Sequence, residues 1–406
     1  MMCYSCLHNL WKSYVNNKHH LLSSMTKKII LGVALMLILI IPTTSLTVHA
    51  DLAPPAPLDT DKYAFNGAGA TFPYPLIDKW RVDYNAQYPQ ITLNYQSVGS
   101  GAGISLFTKK TVDFGASDAP LQPSETKAAP NTLHIPETMG AIVVAYNLPE
   151  FQKNGLKLTG PVLADIFLGK ITTWNNPAIA KLNPGVHLSK NKIVLVHRSD
   201  GSGTTFAFTD YLSKVSPEFK GKVGQGKSVP WVTGVGGSGN AGVAAIVTKV
   251  PWSMGYVELA YAKTNNLAGT SIPITYAYMQ NHDKTAFLDA TVKTTLAAGQ
   301  GAVALMPQSD GDWSHVSINN APGANAYPIT TYTYLLVNKN LDQTKGMDMQ
   351  KAKDLVHMIY WFVTDGQQRS TNLLYVPLPS GVVQIDEQGL HKVMFNGQPV
   401  WPTSGW

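Results

Sequence analysis

The sequence predicts an α/β fold, and three observations lead to this prediction. Short runs rich in β-branched and aromatic residues alternate along the chain with stretches of helical apolar periodicity. The 406 residues are 44% hydrophobic, which is enough for about two domains with cores of their own. Only 14% of the residues are charged, whereas the chain contains 34 glycines and 26 prolines. This composition is typical of a loop-rich globular protein and argues against disorder or a coiled coil.

Four runs are the clearest strands, and one segment is the strongest helix. The strands are predicted at residues 91–95, 141–146, 193–196 and 334–337. The helix is predicted at residues 351–363, where apolar side chains recur on one face, and Gly366 follows as a stop signal. Strands that alternate with helices predict a buried, largely parallel sheet.

The first 50 residues are typical of a signal peptide. Lys27 and Lys28 precede an apolar run at residues 29–41, and small side chains favour cleavage after Ala50. This run is short for a membrane span, which needs about 20 residues. An uncleaved segment that anchors the protein to the membrane is the alternative.

The segment between this signal and the folded part is predicted to be a linker. Residues 51–61, DLAPPAPLDTD, are rich in proline and have no apolar period, so the folded part should begin near Lys62. Met25 offers an alternative start, which would give a signal of ordinary length and leave residues 1–24 untranslated.

Charge and cysteine content exclude several classes of protein. Four of the 31 lysines and arginines lie in the first 50 residues, which contain no Asp or Glu, so the rest of the chain is almost neutral. Without a basic run elsewhere, nucleic acid is not an expected partner. Both cysteines, Cys3 and Cys6, precede the cleavage site, so the mature protein should have neither a disulfide nor a thiol nucleophile.

Three turns of small residues stand where a strand or loop passes into a helix. They are GAGATFP at residues 67–73, GSGAG at 99–103 and DGSGTT at 200–205. The first N–H groups of a helix have no intrahelical partner, and glycine lets this backbone approach an anion closely. Repetition of this arrangement predicts a site that holds a tetrahedral anion by many hydrogen bonds.

Side chains in and beside these turns can add further donors. Hydroxyl groups that either cap a helix or bind the anion belong to Thr71, Ser100, Ser202 and Thr204. Arg198 can bind an anion through two N–H groups while Asp200 holds it in orientation. An exposed ion pair between these two side chains is the alternative.

Asp118 follows the run VDFGAS at residues 112–117, and a carboxylate beside an anion site would normally repel the ligand. It is compatible with a ligand that carries a proton, because hydrogen phosphate can donate to a carboxylate whereas sulfate cannot. Asp118 is therefore predicted to discriminate phosphate from sulfate. A capping or turn aspartate is the alternative.

Motifs for other chemistries are incomplete. Phe72 occupies the third glycine position of a dinucleotide fingerprint, and Thr204 occupies the lysine position of a P-loop. The seven histidines after the predicted signal are scattered, so no metal or cofactor is expected. The pair Asp118 and Asp200 lacks the aromatic platform of a glycosidase, and residues 200–203 lack the elbow spacing of a serine hydrolase.

Six motifs occur in a defined order along the chain. They are GAGATFP (67–73), VDFGASDAPL (112–121), LGKITTWN (168–175), AKLNPG (180–185), RSDGSGTTF (198–206) and MGYVE (254–258). Together they resemble the periplasmic phosphate-binding protein of the phosphate-specific ABC transporter. The resemblance extends from Tyr63 to Leu378, whereas the tail beyond Leu378 is not matched.

The resemblance implies a type II periplasmic-binding-protein fold with two α/β lobes, a ligand cleft between them and a hinge of chain crossings. Lobe I would comprise residues 62–139 and 329–406, and lobe II would comprise residues 140–328. The implied phosphate-binding residues of lobe I are Thr71, Phe72 (through its backbone N–H), Ser100 and Asp118. Those of lobe II are Arg198, Ser202, Gly203 and Thr204, with Asp200 orienting the arginine.

The implied function is capture of hydrogen phosphate outside the cytoplasmic membrane and delivery to the permease of an ABC transporter. The protein is expected to be a monomer without a cofactor, in the periplasm or at the outer face of the membrane. Two other functions stay open at this point: a phosphoesterase on the same fold, and a surface protein for adhesion or sensing. The sequence shows no nucleophile with a base or metal for the former, and the intact ligand residues argue against the latter.

Overall fold

The structure, a computed structural model, describes residues 62–263 and 273–401. The predicted signal peptide and linker, residues 1–50 and 51–61, lie outside these residues. In the part of the chain that is described, no helix combines the length and the apolar character needed to cross a membrane.

The strands differ greatly in length. In chain order they are β1 (Tyr63–Gly69), β2 (Ile91–Ser97), β3 (Phe114–Ser117), β4 (Thr132–Asn147), β5 (Lys157–Leu158), β6 (Val194–Arg198), β7 (Val235–Gly237), β8 (Ser253–Glu258), β9 (Thr275–Tyr276), β10 (Tyr278–Gln280), β11 (Phe287–Leu288), β12 (Thr330–Asn338), β13 (Met394–Phe395) and β14 (Gln398–Pro399). The four strands predicted from the sequence are confirmed by β2, β4, β6 and β12.

The α-helices lie between these strands. They are α1 (Tyr74–Gln87), α2 (Ser100–Thr108), α3 (Pro123–Ala128), α4 (Gly160–Phe167), α5 (Pro177–Leu182), α6 (Gly203–Val215), α7 (Pro217–Lys222), α8 (Gly239–Lys249), α9 (Leu259–Lys263), α10 (Val292–Gly299), α11 (Met349–Val363) and α12 (Ser380–Leu390). Short 3-10 helices are Val303–Leu305, Leu341–Gln343, Asp365–Arg369 and Thr371–Leu373. The helix predicted at residues 351–363 is confirmed by α11, whose cap Asp348 accepts a hydrogen bond from the Lys351 N–H at 2.7 Å.

One sheet of nine strands organises the molecule, in the order β2-β1-β3-β12-β4-β8-β6-β7, with β9 paired to the end of β4. The strand β4, which is 16 residues long, belongs to both ends of this sheet. Residues 132–141 pair with β12, and residues 142–147 pair with β8. We call β1, β2, β3, β12 and residues 132–141, with the turns and helices that connect these strands, the first sheet half. The second sheet half consists of residues 142–147 with β6, β7, β8 and β9 and the segments that connect them.

The sheet is mixed, so the prediction of a largely parallel sheet is wrong. β1 runs parallel to β2 and β3, and β6 runs parallel to β7 and β8. The central strands β4 and β12 run antiparallel to each other, and each is antiparallel to its other neighbours. A strand that is buried on both faces has a continuous run of apolar residues in its sequence. Such a run does not show whether the neighbouring strand is parallel or antiparallel.

The two central strands form the middle of the core. Every residue of β12 and all but the last residue of β4 are buried. Beside them, Trp80 of α1 stacks on Phe362 of α11 with ring centroids 5.0 Å apart. Full burial of one large apolar side chain contributes about 1.5–3 kcal/mol, so the burial of these strands stabilises the fold.

One stretch of the predicted lobe II contacts the first sheet half. The Trp313 ring stacks on His134 of β4, with ring centroids 5.9 Å apart, and the Ser309 carbonyl accepts a hydrogen bond from the His134 N–H at 2.8 Å. Residues 309 and 313 therefore lie against the first sheet half, although the prediction places them in lobe II. The lobe boundaries implied by the resemblance stay a prediction.

Candidate functional site

Each of the three predicted turns leads into a helix. The first turn joins β1 to α1, the second joins β2 to α2, and the third joins β6 to α6. Ser202 caps α6, because its Oγ accepts a hydrogen bond from the Thr205 N–H at 3.0 Å. Pro73 and Gly99 precede the other two helices and make no side-chain cap. Three helix N-termini are thus supplied by the turns that the sequence identified.

Ser100 joins the second and third turns. Its Oγ accepts hydrogen bonds from the N–H groups of Gly203, at 3.1 Å, and Asp118, at 3.2 Å. A hydroxyl oxygen has two lone pairs, so both are used and its O–H remains a donor. The close approach requires glycine, because a Cβ at position 203 would lie 2.6 Å from Ser100 Oγ and 2.6 Å from Asp118 Cβ.

Arg198 is the buried cation of the site, with a side chain only 1% exposed. Its Nε and Nη2 donate to the two carboxylate oxygens of Asp200 at 2.8 and 2.5 Å. Its Nη1 donates to Thr204 Oγ1 at 3.2 Å. Burial acts to raise the pKa of Asp200, but the hydrogen bonds and charge of Arg198 outweigh this effect and lower the pKa below its usual range. The two-pronged pair fixes the plane of the guanidinium.

Asp118 is a buried carboxyl connected to this cation through Thr204. The Thr204 hydroxyl, which accepts from Arg198, donates to Asp118 Oδ2 at 3.3 Å. Thr333 of β12 donates to Asp118 Oδ1 at 3.1 Å. Burial raises the pKa of Asp118 to about 7, although the charge of Arg198 and both threonine hydrogen bonds act to lower it. Its charge can therefore change near neutral pH.

Thr71 and Phe72 lie where the first turn meets the second sheet half. Thr71 Oγ1 accepts hydrogen bonds from the N–H and Nδ2 of Asn240, at 3.2 and 3.0 Å, at the start of α8. The Tyr261 hydroxyl donates to the Thr71 carbonyl at 2.6 Å, and the Tyr375 hydroxyl donates to the Phe72 carbonyl at 2.7 Å. Phe72 is fully buried, and its backbone N–H is the group with the predicted role.

Hydrogen bonds bring the predicted site residues together. Asn240 Nδ2 completes the connection, because it donates to Thr71 Oγ1 at 3.0 Å and to Thr204 Oγ1 at 3.2 Å. The connected residues are Thr71, Ser100, Asp118, Arg198, Asp200, Gly203 and Thr204. Phe72 and Ser202 lie beside this set as the chain neighbours of Thr71 and Gly203. Their role in holding a ligand stays a prediction.

Three further polar residues of the site were missed by the sequence analysis. Asn240 is the last residue of GGSGN at residues 236–240, a turn of small residues that leads into α8. The same criterion that identified the other three turns could therefore have found it. Thr333 and Glu137 lie within buried strands and belong to no motif. Only the pairing of β12 with β4 shows that Thr333 Oγ1 lies 3.1 Å from Asp118 Oδ1 and from Glu137 Oε1.

Neither a metal cluster nor a large cavity marks the predicted site residues. Among the described residues, no group of three or more His, Cys, Asp or Glu side chains could hold a metal ion. A cavity of about 330 Å³ lies at the edge of the site, beside Thr71 and Gly239. A larger cavity of about 760 Å³ elsewhere is lined by several lysines and by none of the predicted site residues.

Comparison with known proteins first defines the class. Residues 54–356 match the PBP superfamily domain. A solved phosphate-binding protein from Stenotrophomonas maltophilia shares the fold with a TM-score of 0.56 at 18% identity, covering 80% of this chain and 92% of that chain. The prediction of an α/β, type II periplasmic-binding-protein fold is confirmed.

Sequence relatives then define the family. Phosphate-binding protein PstS of Xylella fastidiosa is 44% identical over 337 residues, which are 82% of this chain and 86% of the relative. Phosphate-binding protein PstS of Pasteurella multocida is 43% identical over 327 residues, which are 80% of this chain and 90% of the relative. The chain belongs to the PstS family of phosphate-binding proteins. The resemblance seen in the motifs is confirmed.

Proposed function

We propose that this chain binds inorganic phosphate outside the cytoplasmic membrane and delivers it to the permease of an ABC transporter. The observation that carries the proposal is the placement of a buried carboxyl, Asp118, one threonine away from the buried guanidinium of Arg198. This combination suits an anion that carries a proton, because the ligand can donate its proton to the carboxylate. The names of the PstS relatives support phosphate as that anion.

The positive side of the site would consist of neutral donors and one guanidinium. The N–H groups at the starts of α1, α2 and α6 and the O–H of Ser100 supply preorganised dipoles. Such dipoles stabilise an anion without a large net charge, so one arginine suffices. The predicted ligands are Thr71, Phe72, Ser100, Asp118, Arg198, Ser202, Gly203 and Thr204. Asp200 would orient Arg198 through their two-pronged pair rather than touch the phosphate.

Asp118 would reject sulfate. A sulfate ion has no proton at physiological pH, so its oxygens would face the carboxylate as two unpaired negative groups in a buried site. Arsenate is protonated like phosphate, so Asp118 would not exclude it.

The two sheet halves would belong to two lobes that close on the ligand. Hydrogen bonds link the halves directly, from the Gly203 N–H to Ser100 and from the Thr204 hydroxyl to Asp118. These contacts support a closed form in which donors from both lobes replace the water shell of the phosphate. β4 passes through both halves and would form part of the hinge.

The location and partners complete the proposal. A signal within residues 1–50 would direct export, and the protein would act in the periplasm or at the outer face of the membrane, anchored there if the signal is retained. It would act as a monomer, without a cofactor, and dock on the permease in its closed form. Its activity would be binding and not catalysis.

Titration calorimetry tests this proposal on protein that has been unfolded and refolded to remove bound anion. We expect the wild type to bind phosphate far more tightly than sulfate. Asp118→Asn should weaken phosphate binding by about 2–3 kcal/mol, because it removes a charged acceptor. It should also raise the relative affinity for sulfate, because the new amide can donate a hydrogen bond. Asp165→Asn, at a partly exposed ion pair on α4, is the control and should leave both affinities unchanged.

Two outcomes would contradict the proposal. Folded wild type that binds neither anion would favour a surface or sensing role on the same fold. Release of phosphate from a generic phosphate ester, at a rate above that of Arg198→Met, would favour a phosphoesterase.

A further inference from the structure

Glu137 lies behind Asp118, near the middle of β4, and none of its surface is exposed. Thr333 Oγ1 stands between the two acids, 3.1 Å from Glu137 Oε1 and 3.1 Å from Asp118 Oδ1. The two buried carboxyl groups therefore share one hydroxyl. None of the motifs in the sequence accounts for this second acid.

A hydroxyl has one hydrogen, so Thr333 can donate to only one of its two neighbours. If both acids were ionised, two buried like charges would compete for that hydrogen, which is costly. If Glu137 carries a proton, it donates to Thr333 Oγ1 and the Thr333 hydrogen is directed to Asp118. This arrangement gives Thr333 one hydrogen bond to each acid, without competition for its hydrogen, and leaves Asp118 ionised.

The surroundings favour a proton on Glu137 rather than on Asp118. The charge of Arg198 and the hydroxyl of Thr204 stabilise an ionised Asp118. By contrast, Glu137 Oε2 has no hydrogen-bond partner among the described residues. Burial raises the pKa of Glu137 to about 8, an effect opposed by the Thr333 hydrogen bond and reinforced by the charge of Asp118.

We propose that Glu137 is a positioning residue for ligand recognition: as a neutral acid it donates to Thr333, directs the Thr333 hydroxyl to Asp118 and so keeps Asp118 an ionised acceptor. Glu137 does not touch the phosphate. The inference rests on the proposed function, because it concerns how Asp118 accepts the proton of the ligand. When Glu137 ionises, it competes for the Thr333 hydrogen and repels the charge on Asp118, so phosphate affinity falls.

Other titratable groups lie on β4, on elements packed against it, or within electrostatic reach of Asp118 and Glu137. They are Tyr95 on β2, His134 on β4 itself, Glu258 on β8, Tyr261 on α9, Tyr334 on β12, Asp354 and His357 on α11, Tyr375, and Asp386 on α12. Burial raises the pKa of the four tyrosines and lowers the pKa of His134 to about 4, so these five stay neutral between pH 6 and 9. Variants that differ only at Glu137 share all of these groups, so a comparison between them isolates its titration.

The test is a phosphate titration from pH 6 to pH 9.5 with wild type and Glu137→Gln. The glutamine amide can donate to Thr333 at every pH. Glu137→Gln should therefore keep its phosphate affinity over the pH range in which Glu137 of the wild type ionises. Between pH 7 and pH 9 the affinity of the wild type should fall about tenfold more than that of Glu137→Gln, as linkage to one proton requires. The proton titration of phosphate itself is common to both proteins and cancels.

Asp386→Asn is the matched control. Asp386 is also a fully buried carboxyl whose pKa is raised by burial, but its oxygens form no hydrogen bond with the site residues. Its variant should follow the pH profile of the wild type.

Thr333→Val gives a second measurement if Glu137→Gln does not fold. Valine keeps the shape of threonine but removes the donor to Asp118, so phosphate affinity at pH 7 should fall about tenfold. Thr333→Ser, which restores the hydroxyl, should recover most of that loss.

The outcomes separate this inference from the function on which it rests. Parallel pH profiles of wild type and Glu137→Gln would overturn the role of Glu137 and leave phosphate binding intact. If the pH profile of phosphate affinity for Asp386→Asn matched that of Glu137→Gln, the role of Glu137 would be overturned as well. The change in profile would then follow from removing any buried acid. Failure of the folded wild type to bind phosphate at any pH would reject the proposed function itself.

Discussion

The two sheet halves bring different ionisable groups to the candidate site. The second half supplies Arg198, which is tied to Asp200 and extended by Thr204. The first half supplies two buried acids, Asp118 and Glu137, joined by a threonine hydroxyl. The difference supports a division of roles within the proposed function: the second half would attract an oxyanion of any kind, and the first half would decide which oxyanion is accepted.

Two aspartates express the same contrast. Asp200 forms a direct ion pair, and its pKa lies below the usual range despite burial. Asp118 contacts Arg198 only through Thr204, so burial dominates and raises its pKa. Direct pairing overcomes desolvation at one carboxyl and not at the other.

The largest effect on anion affinity is expected from removing the positive charge of Arg198. Arg198→Met breaks a buried pair and leaves Asp200 uncompensated, so binding of phosphate and sulfate should both weaken by about 3–5 kcal/mol. Calorimetric titration with each anion measures the effect. Lys222→Met, which breaks an exposed pair with Glu218 within α7, is the control and should change neither affinity. Loss of phosphate binding with unchanged sulfate binding would contradict the division of roles.

A smaller effect is expected on the pH dependence of stability. Folding raises the pKa of Asp118, so the ligand-free folded protein retains this proton longer than the unfolded chain and loses stability as pH rises from about 4 to about 7. Asp118→Asn should remove this loss, which corresponds to about 2–4 kcal/mol. Urea unfolding at several pH values measures it.

Asp200→Asn should change the pH dependence of stability in the direction opposite to Asp118→Asn. Folding lowers the pKa of Asp200, so its contribution to stability is present above the pKa of the unfolded chain and is lost as pH falls. Asp200→Asn should therefore destabilise the protein at neutral pH more than at low pH. If both variants changed the pH dependence of stability in the same direction, the pKa values of Asp118 and Asp200 would not be shifted in opposite directions.

The smallest effect is expected from an ion pair that links the two sheet halves away from Arg198. Lys227 Nζ lies 2.7 Å from Glu125 Oε2 of α3, and the side chains are 13% and 23% exposed. Lys227→Met should weaken phosphate binding by about 0.5–1 kcal/mol, with a smaller difference at high salt. The preference for phosphate over sulfate should not change, because closure serves both anions. A changed preference would mean that this pair does more than hold the halves together.

Much of the site was predictable because its groups occupy short turns. Thr71, Ser100 and Ser202 stand in glycine-rich segments that open helices, and the physics of a helix N-terminus is local. The direction of the central strands was not predictable, because an apolar run such as β4 reads alike in parallel and antiparallel sheets. The prediction of a largely parallel sheet failed for that reason.

The sequence by itself determined the α/β class, the three small-residue turns that lead into helices and the family, because all of these depend on residues that are neighbours in the chain. The tertiary structure alone decided that Thr333, 196 residues from Glu137 in sequence, stands between that acid and Asp118. It also decided that the pKa of both acids is raised, because pKa values depend on burial and on partners from distant strands. Contacts of this kind exist only after β12 has paired with β4, so no local pattern records them.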